Sequence, residues 1–358
     1  MIYIHVPFCK SFCTYCDFYS EIAGEGMFER YTEQICAEIR ARSAEMDDSL
    51  NTLYFGGGTP SLLPLSALTR ILFTLEECGH GGPFTEFTME VNPEDIVEKG
   101  VPYVESLRAL GVNRLSIGVQ SFDDTLLRWM NRRHDAAHAR EAFRIARQGG
   151  MENISLDLIF GLSNLSDSTW EHTIDEALAL GPEHISCYQL TVEGDSTLAR
   201  MLENGEYEEA PEELCLGQYN LLRTKLHAAG YNHYEISNFA KPGFEAKHNS
   251  GYWQRRPYVG LGPAAHSFSG RGRSWNESTL VDYGHTEEAL GVEDEKVETL
   301  MLGLRTARGV DGEFLEANCR QEDIERLLRQ GALAKTGRRY RIPEDHFFVS
   351  DEIIRELI

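Results

Sequence analysis

Residues 2–16 read IYIHVPFCKSFCTYC. The run Ile2–Val6 is rich in β-branched and aromatic residues, which predicts a strand. Cys9, Cys13 and Cys16 follow it with the spacing C-x3-C-x2-C, on the kind of loop that carries function in parallel α/β proteins. The chain has 8 cysteines in 358 residues, too few for a disulfide scaffold, so three of them crowded on one loop indicate an inorganic centre.

Further strand-like runs, most of them followed by a helical pattern, recur along the first half of the chain. This alternation predicts βαβ units and a parallel sheet, built either as a doubly wound sheet or as an incomplete (β/α) barrel. Periodicity does not separate the two architectures. The predicted strands are Ile2–Val6, 52–55, 84–91, 114–119, 153–159 and His184–Gln189, and the predicted helices are 28–46, 65–78, 103–110, Ala136–Gln148 and 170–180.

The composition of the chain changes after residue 190. A helix is predicted at 211–229, and residues 231–270 are rich in Tyr, Asn, His and Gly, which favours an irregular segment with a binding role. We therefore predict three domains, namely a core over 1–190, a helical and irregular region over 191–290, and a small helical unit over 291–358.

The charge balance excludes several classes of protein. Lys and Arg number 34 against 57 Asp and Glu, a formal net charge of −23, which disfavours binding to nucleic acid or to anionic lipid. No apolar run reaches the roughly 18 residues that a membrane helix needs, and the first residues lack the features of a signal peptide. A cytoplasmic location without membrane insertion is the expectation.

The cysteine loop is compatible with two kinds of metal centre. A structural zinc site has four ligands, and His5 could complete it, although His5 lies within the predicted strand. A closed iron–sulfur cluster also has four cysteines, so three would bind three irons of a 4Fe–4S cluster and leave one iron open to a small molecule. The remaining cysteines are interpreted as small buried hydrophobes: Cys36, Cys78, Cys187, Cys215 and Cys319.

The motif C-x3-C-x2-C after a first strand resembles the signature of the radical S-adenosylmethionine (SAM) superfamily. Its context, YIHVPFC at residues 3–9, is similar to the oxygen-independent coproporphyrinogen III oxidase-like family. The resemblance implies a partial (β/α)6 barrel with a small, mainly helical C-terminal domain. It also implies that the open iron binds SAM, and that an electron donor reduces the cluster so that SAM is cleaved to a radical.

Polar residues at the ends of successive predicted strands match the SAM site of that family. A parallel barrel places its active site at the carboxyl ends of its strands, and glycines, as in GGGTP at 56–60, let a ligand approach the backbone. Without the resemblance, Arg132 beside Arg133 would read as a solvated pair. The resemblance implies SAM contacts from Tyr3, Tyr15, Gly57, Gly58, Thr59, Glu90, Gln120, Arg132 and Asp157.

The chain departs from the coproporphyrinogen oxidases proper at two points. Those enzymes carry a further cysteine two residues after the third ligand, where this chain has Phe18. They also carry an extension before the first strand, whereas this chain starts two residues before Tyr3. Both departures disfavour oxidative decarboxylation of coproporphyrinogen, which stays the alternative function.

The segment HNSGYW at 248–253 resembles the H-N-x-x-Y-W pattern of the HemW-type haem chaperones. A neutral imidazole can ligate haem iron, and flat aromatic rings can cover a porphyrin face. The resemblance therefore implies haem contacts from His248, Tyr252 and Trp253. It also implies delivery of haem to acceptor proteins, with respiratory-chain proteins as candidates.

Two neighbouring features extend the predicted haem site. Lys247, Arg255 and Arg256 are cations in an acidic chain, suited to neutralise propionate groups. His266, in GLGPAAHS at 260–267, is a second candidate for the iron ligand, for which a structural role is the favoured interpretation.

Overall fold

The computed structural model describes residues 1–24, 26–46, 50–194 and 196–358. In these ranges the six predicted strands are all present, run parallel and are neighbours in chain order within one sheet. This order confirms the predicted βαβ units. The strands are β1 (Ile2–Val6), β2 (Phe8–Cys9), β3 (Glu21–Ile22), β4 (Thr52–Gly57), β5 (Glu86–Val91), β6 (Arg114–Gln120), β7 (Ile154–Phe160), β8 (His184–Gln189), β9 (Asn232–Glu235), β10 (Asn238–Ala240), β11 (Val259–Leu261), β12 (His266–Phe268), β13 (Gly272–Asn276), β14 (His285–Ala289), β15 (Val310–Asp311), β16 (Ala334–Thr336) and β17 (Arg339–Arg341).

Helices follow the parallel strands, and several of them begin at a side-chain cap. The helices are α1 (Met27–Arg42), α2 (Leu65–Glu77), α3 (Pro93–Ala109), α4 (Asp124–Trp129), α5 (Ala136–Gln148), α6 (Asp167–Leu180), α7 (Thr197–Glu203), α8 (Glu212–Ala228), α9 (Lys247–Trp253), α10 (Val292–Leu304), α11 (Gly312–Asn318), α12 (Gln321–Gln330) and α13 (Ser350–Arg355). Asp135 caps α5 by accepting a hydrogen bond from His138 N. The helix predicted at 103–110 is only the second half of α3, which begins at Pro93 because proline suits the first turn of a helix.

The central sheet continues beyond residue 190 at both of its edges. Strand β11 pairs in parallel with β1, while β10 pairs antiparallel with β8 and carries β9 on its far side. The predicted domain boundary at residue 190 therefore runs through a continuous sheet. Over the ranges given above, the two edge strands β9 and β11 do not pair with each other, so the barrel is left open along one side.

The parallel strands alternate between an apolar outer face and a polar inner face. Leu53, Phe55 and Leu115 on the outer face are fully buried in the core. Tyr54, Glu90 and the other residues of opposite parity project toward the axis of the sheet, where they line a cavity. Because side chains alternate along a strand, this pattern places a binding chamber inside the barrel rather than a packed apolar interior.

The rest of the chain forms two smaller sheets and the C-terminal helices. Strands β12, β13 and β14 make an antiparallel sheet in a region that the sequence partly predicted as irregular. Strands β15, β16 and β17 form a second antiparallel sheet among α10 to α13, a small and mainly helical unit as expected. Among the described helices, none combines the length and apolar character needed to cross a membrane.

Candidate functional site

A cavity of 1210 Å³ occupies the inside of the open barrel. The loop after β1 and the carboxyl ends of β4 to β8 contribute to its wall, as expected for a parallel barrel. The structure brings together on this cavity the predicted cluster ligands and all the predicted SAM contacts: Cys9, Cys13, Cys16, Tyr3, Tyr15, Gly57, Gly58, Thr59, Glu90, Gln120, Arg132 and Asp157.

The cysteine loop is attached to the rest of the barrel at several points. Thr14 donates two hydrogen bonds, from its N to Met130 O at 3.1 Å and from its Oγ1 to Trp129 O at 2.9 Å. Cys9 Sγ lies 3.6 Å from Thr59 Oγ1. Burial raises the pKa of the Cys9 thiol and raises that of Cys16 to about 12, so binding to iron would be needed to hold them as thiolates at neutral pH.

Among the described residues, the three cysteines of the loop lack the fourth protein ligand that a closed structural zinc site needs. Throughout the described ranges, no three Cys, His, Asp or Glu side chains are grouped as ligands of one metal ion. His5 is also unavailable, because its Nδ1 is hydrogen-bonded to Tyr3 OH at 3.0 Å and its Nε2 to Tyr19 O at 2.9 Å. In a 4Fe–4S cluster each thiolate binds a different iron, which requires three separated sulfurs.

The glycines at the end of β4 allow the cysteine loop to lie against this strand. Gly57 has a φ of 106°, and a Cβ added there would lie 2.5 Å from the His5 ring. A Cβ at Gly58 would lie 2.8 Å from the Phe8 carbonyl oxygen and 2.9 Å from that of Val6. The positive φ and the nearby His5 ring explain glycine at position 57, and the close approach of two backbone segments explains it at position 58.

We expect Gly58→Ala to disturb the cluster loop. The added methyl group would meet two backbone carbonyls that have no side-chain freedom to move away, at a cost of about 1–3 kcal/mol. Thermal unfolding and iron content after reconstitution are the measurements, and both should fall. Gly217→Ala in α8 is the control, because an added Cβ there has no neighbour within 4 Å. Unchanged iron content in Gly58→Ala would contradict this account.

Glu90 presents a carboxylate to the cavity. Its Oε1 accepts a hydrogen bond from Tyr54 OH at 2.6 Å, and its Oε2 accepts one from Gly57 N at 3.1 Å. Burial raises the pKa of Glu90 to about 7, and the nearby Asp157 raises it as well. A positively charged ligand group beside this carboxyl would stabilise its ionised form and lower its pKa again.

Arg132 connects the cluster loop to the strand ends. Its Nη1 donates to Cys13 Sγ at 3.3 Å, and its Nη2 donates to Gly118 O and to Asn92 Oδ1, both at 2.7 Å. The alternative of a solvated surface pair is therefore wrong for Arg132. Asn92 also donates to Thr59 Oγ1 at 3.2 Å. Asn92 was not predicted from the sequence, although its position directly after β5 is a usable signal.

Gln120 and Asp157 reach the cavity from neighbouring strands. Gln120 has a φ of 67°, unusual for a residue other than glycine, at a register shift between β6 and β7. Such irregularities redirect side chains at functional sites. Asp157 accepts a hydrogen bond from Ser116 Oγ at 3.0 Å, and burial raises its pKa. Arg114, fully buried on the same cavity, is a further residue that was not predicted from the sequence.

The H-N-x-x-Y-W segment forms α9 at the opposite end of the barrel. His248 N donates to Glu86 Oε1 at 2.9 Å, and His248 Nδ1 is hydrogen-bonded to Thr52 Oγ1 at 2.8 Å. Glu86 and Thr52 are the first residues of β5 and β4, so α9 covers the amino ends of the strands. Tyr252 OH is hydrogen-bonded to His248 Nε2 at 2.8 Å, which leaves neither ring nitrogen of this fully buried histidine available to iron.

The other predicted haem residues do not lie together. Tyr252 lines the main cavity, whereas Trp253, Arg255 and Arg256 line a second cavity of 470 Å³ beside the C-terminal unit. Lys247 Nζ donates to Thr85 O at 3.3 Å, near the amino end of β5. Haem contacts from this segment stay a prediction, and this geometry does not support His248 as the iron ligand.

Known proteins with related sequences identify the family. Residues 3–177 match the sequence model of the Radical SAM superfamily. The chain is 36% identical over 326 residues to "Heme chaperone HemW" of Synechocystis sp., covering 86% of this chain and 78% of the relative. It is also 36% identical over 324 residues to HemW of Bacillus subtilis, covering 86% and 84%. The chain belongs to the HemW family of radical SAM proteins.

Two further similarities support the fold and the branch. Mouse "Radical S-adenosyl methionine domain-containing protein 1, mitochondrial" is 31% identical over 388 residues, covering 100% of this chain and 87% of that protein. The solved structure of Escherichia coli coproporphyrinogen III oxidase (HemN) matches with a TM-score of 0.82 at 20% identity, covering 99% of this chain and 89% of that one. The predicted partial barrel with a small C-terminal domain is thereby confirmed. Membership of the superfamily implies a 4Fe–4S cluster and SAM.

Proposed function

We propose that this protein is a haem chaperone, which binds haem and delivers it to haem-requiring acceptor proteins. The observation that carries the proposal is the 36% identity to proteins named haem chaperones over most of the chain. The cavity adds support from the structure. Pockets for one small ligand typically measure about 300–1,000 Å³, and the cavity of 1210 Å³ exceeds this range.

In this proposal Cys9, Cys13 and Cys16 hold the cluster, and the cavity wall beside them holds SAM. A reduced cluster held by these cysteines would be able to supply an electron for the cleavage of SAM. Glu90 would accept hydrogen bonds from the ammonium group of SAM, since its carboxylate faces the cavity between Tyr54 and Gly57. The Arg132 guanidinium, in contact with Cys13 Sγ, would offset the negative charge of the thiolates.

The second candidate function is oxidation of coproporphyrinogen, favoured by the fold shared with the Escherichia coli enzyme. Phe18 stands where those oxidases have an additional cysteine, and its side chain is 64% exposed beside the cavity. It supplies an apolar surface instead of a thiol. Formation of protoporphyrinogen by the reduced protein with SAM, above a control without protein, would favour this function over the chaperone.

Titration with haem, followed by transfer to an apo-protein, tests the chaperone function. We expect a saturable shift of the Soret band at about one haem per chain, and faster appearance of holo-myoglobin from apo-myoglobin than free haem gives. Transfer should be measured with and without SAM and reductant, and with the electron donor that reduces the cluster. The absence of a Soret shift at stoichiometric haem would contradict the proposal.

A further inference from the structure

We propose that His266, and not His248, is the protein ligand to haem iron. This inference rests on the proposed haem-binding function. Among the described residues that line the main cavity, the histidines are His5 and His266. His5 has both ring nitrogens occupied by Tyr3 and Tyr19, whereas no group in the described ranges hydrogen-bonds to the ring of His266.

The topology places His266 on the open side of the barrel. It is the first residue of β12, which folds back along β11, and β11 is the edge strand that pairs with β1. Gly260 in β11 lies directly beneath it, because an added Cβ at Gly260 would meet His266 O at 2.0 Å. The side chain is exposed. A flat ligand that enters through the open side would therefore meet this imidazole.

The backbone that leads to His266 is held in an unusual conformation. Gly262 has a φ of 96° and Ala264 a φ of 59°, which is uncommon for a residue with a Cβ. Asn276 holds this turn, since its Nδ2 donates to Gly262 O at 2.7 Å and its backbone N donates to Ala265 O at 3.0 Å. Backbone conformations of this kind are kept where several surrounding contacts hold them in place, and they are common at binding sites.

The chemical state of His266 suits a metal ligand. The cavity wall covers part of this otherwise exposed ring and lowers its pKa, and the charge of Arg273 lowers it further, so the imidazole is neutral at physiological pH. Its ring is stacked against Trp275, with ring centroids 6.0 Å apart and planes 25° apart. Tyr252 and Tyr258, in edge-to-face contact on the same cavity, offer aromatic surface to a porphyrin.

His248 has a structural explanation that excludes it from this role. Its two ring nitrogens join Thr52 at the start of β4 to Tyr252, and its backbone N joins Glu86 at the start of β5. Burial lowers its pKa to about 3, so it is a neutral hydrogen-bonding link within the floor of the barrel. Ligation of iron would require breaking a buried hydrogen bond and opening α9.

Haem titration of three single variants, with the full chain carrying its reconstituted cluster, tests the assignment. His266→Ala should shift the Soret band and raise the haem Kd on the order of tenfold or more, and added imidazole should restore the wild-type Soret position. His248→Ala should keep the Soret position while its melting temperature falls. His138→Ala, an exposed histidine in α5, should match the wild type in both respects.

The outcomes separate the two proposals. A wild-type Soret band and Kd in His266→Ala would overturn the ligand assignment, as would loss of the band in a folded His248→Ala. If His266→Ala misfolds by circular dichroism, His266→Gln keeps the side-chain size and should give the same spectral change. If the wild-type protein itself binds no haem, the proposed function fails, and the assignment with it.

Discussion

Replacing Cys9, Cys13 or Cys16 by alanine, one at a time, is expected to abolish the absorbance of the reconstituted 4Fe–4S cluster. Each thiolate would bind a different iron, so removal of one leaves that iron without a protein ligand. No replacement thiol is at hand in the described ranges, because the remaining cysteines do not line the cavity. Iron and acid-labile sulfide per chain, together with the visible spectrum, are the measurements.

Cys187→Ala is the matched control for the cluster variants. Cys187 lies in β8 and is 1% exposed, with its thiol in the core rather than in the cavity. We expect a loss of stability of about 1 kcal/mol and a cluster content equal to that of the wild type. Loss of the cluster in Cys187→Ala, or its retention in Cys13→Ala, would show that the three-ligand assignment is wrong.

Glu90→Gln is expected to weaken SAM binding by about 10- to 100-fold, because a charge-assisted hydrogen bond contributes about 1.5–3 kcal/mol. The amide preserves the shape of the side chain and its contact with Tyr54, but it removes the negative charge that would face the ammonium group. Equilibrium dialysis with SAM at pH 8 measures the effect. Equal SAM affinity in the two proteins would exclude Glu90 as the ammonium partner.

The pH dependence of SAM binding provides a second test of Glu90. Asp157, Tyr54 and Arg114 face this carboxyl, and burial, the main cause, raises its pKa from 4.5 to about 7. The folded protein therefore binds this proton more tightly than the unfolded chain does. The contribution of Glu90 to the free energy of unfolding falls as the pH rises from 4.5 to about 7, and the loss is complete above that pH. SAM affinity should fall as the pH decreases below about 7, since SAM favours the ionised form. Glu90→Gln should lack this dependence, and Asp157→Asn should keep it with the fall shifted to lower pH, because the charge of Asp157 raises the pKa of Glu90.

Much of the fold and of the cluster site follows from local sequence. The strand Ile2–Val6, the three cysteines behind it and the polar residues that end the parallel strands are all patterns with short spacing. Parallel strands bring their carboxyl ends to the same edge of the sheet, so residues near those ends, such as Glu90 and Asp157, are expected to lie close together. The parallel order of the strands is confirmed by the structure.

Contacts between residues that are far apart in the chain could not be predicted from local sequence patterns. Strand β11 extends the barrel beside β1, although more than two hundred residues separate them in the chain. Asn92 and Arg114 become part of the cavity only because their strands are neighbours in the sheet. Asn92 directly follows β5, which is a local signal, whereas Arg114 is the first residue of β6 and nothing in its sequence neighbourhood distinguishes it.

The sequence by itself determined the cysteine loop, the six parallel strands and the family to which the chain belongs. The tertiary structure alone decided that His248 lies buried at the amino ends of the strands, while His266 lies exposed on the cavity. The physical reason is that ligation depends on burial and free lone pairs. Both are set by partners that are distant in the chain. Thr52, for example, lies 196 residues from His248 and outside the motif.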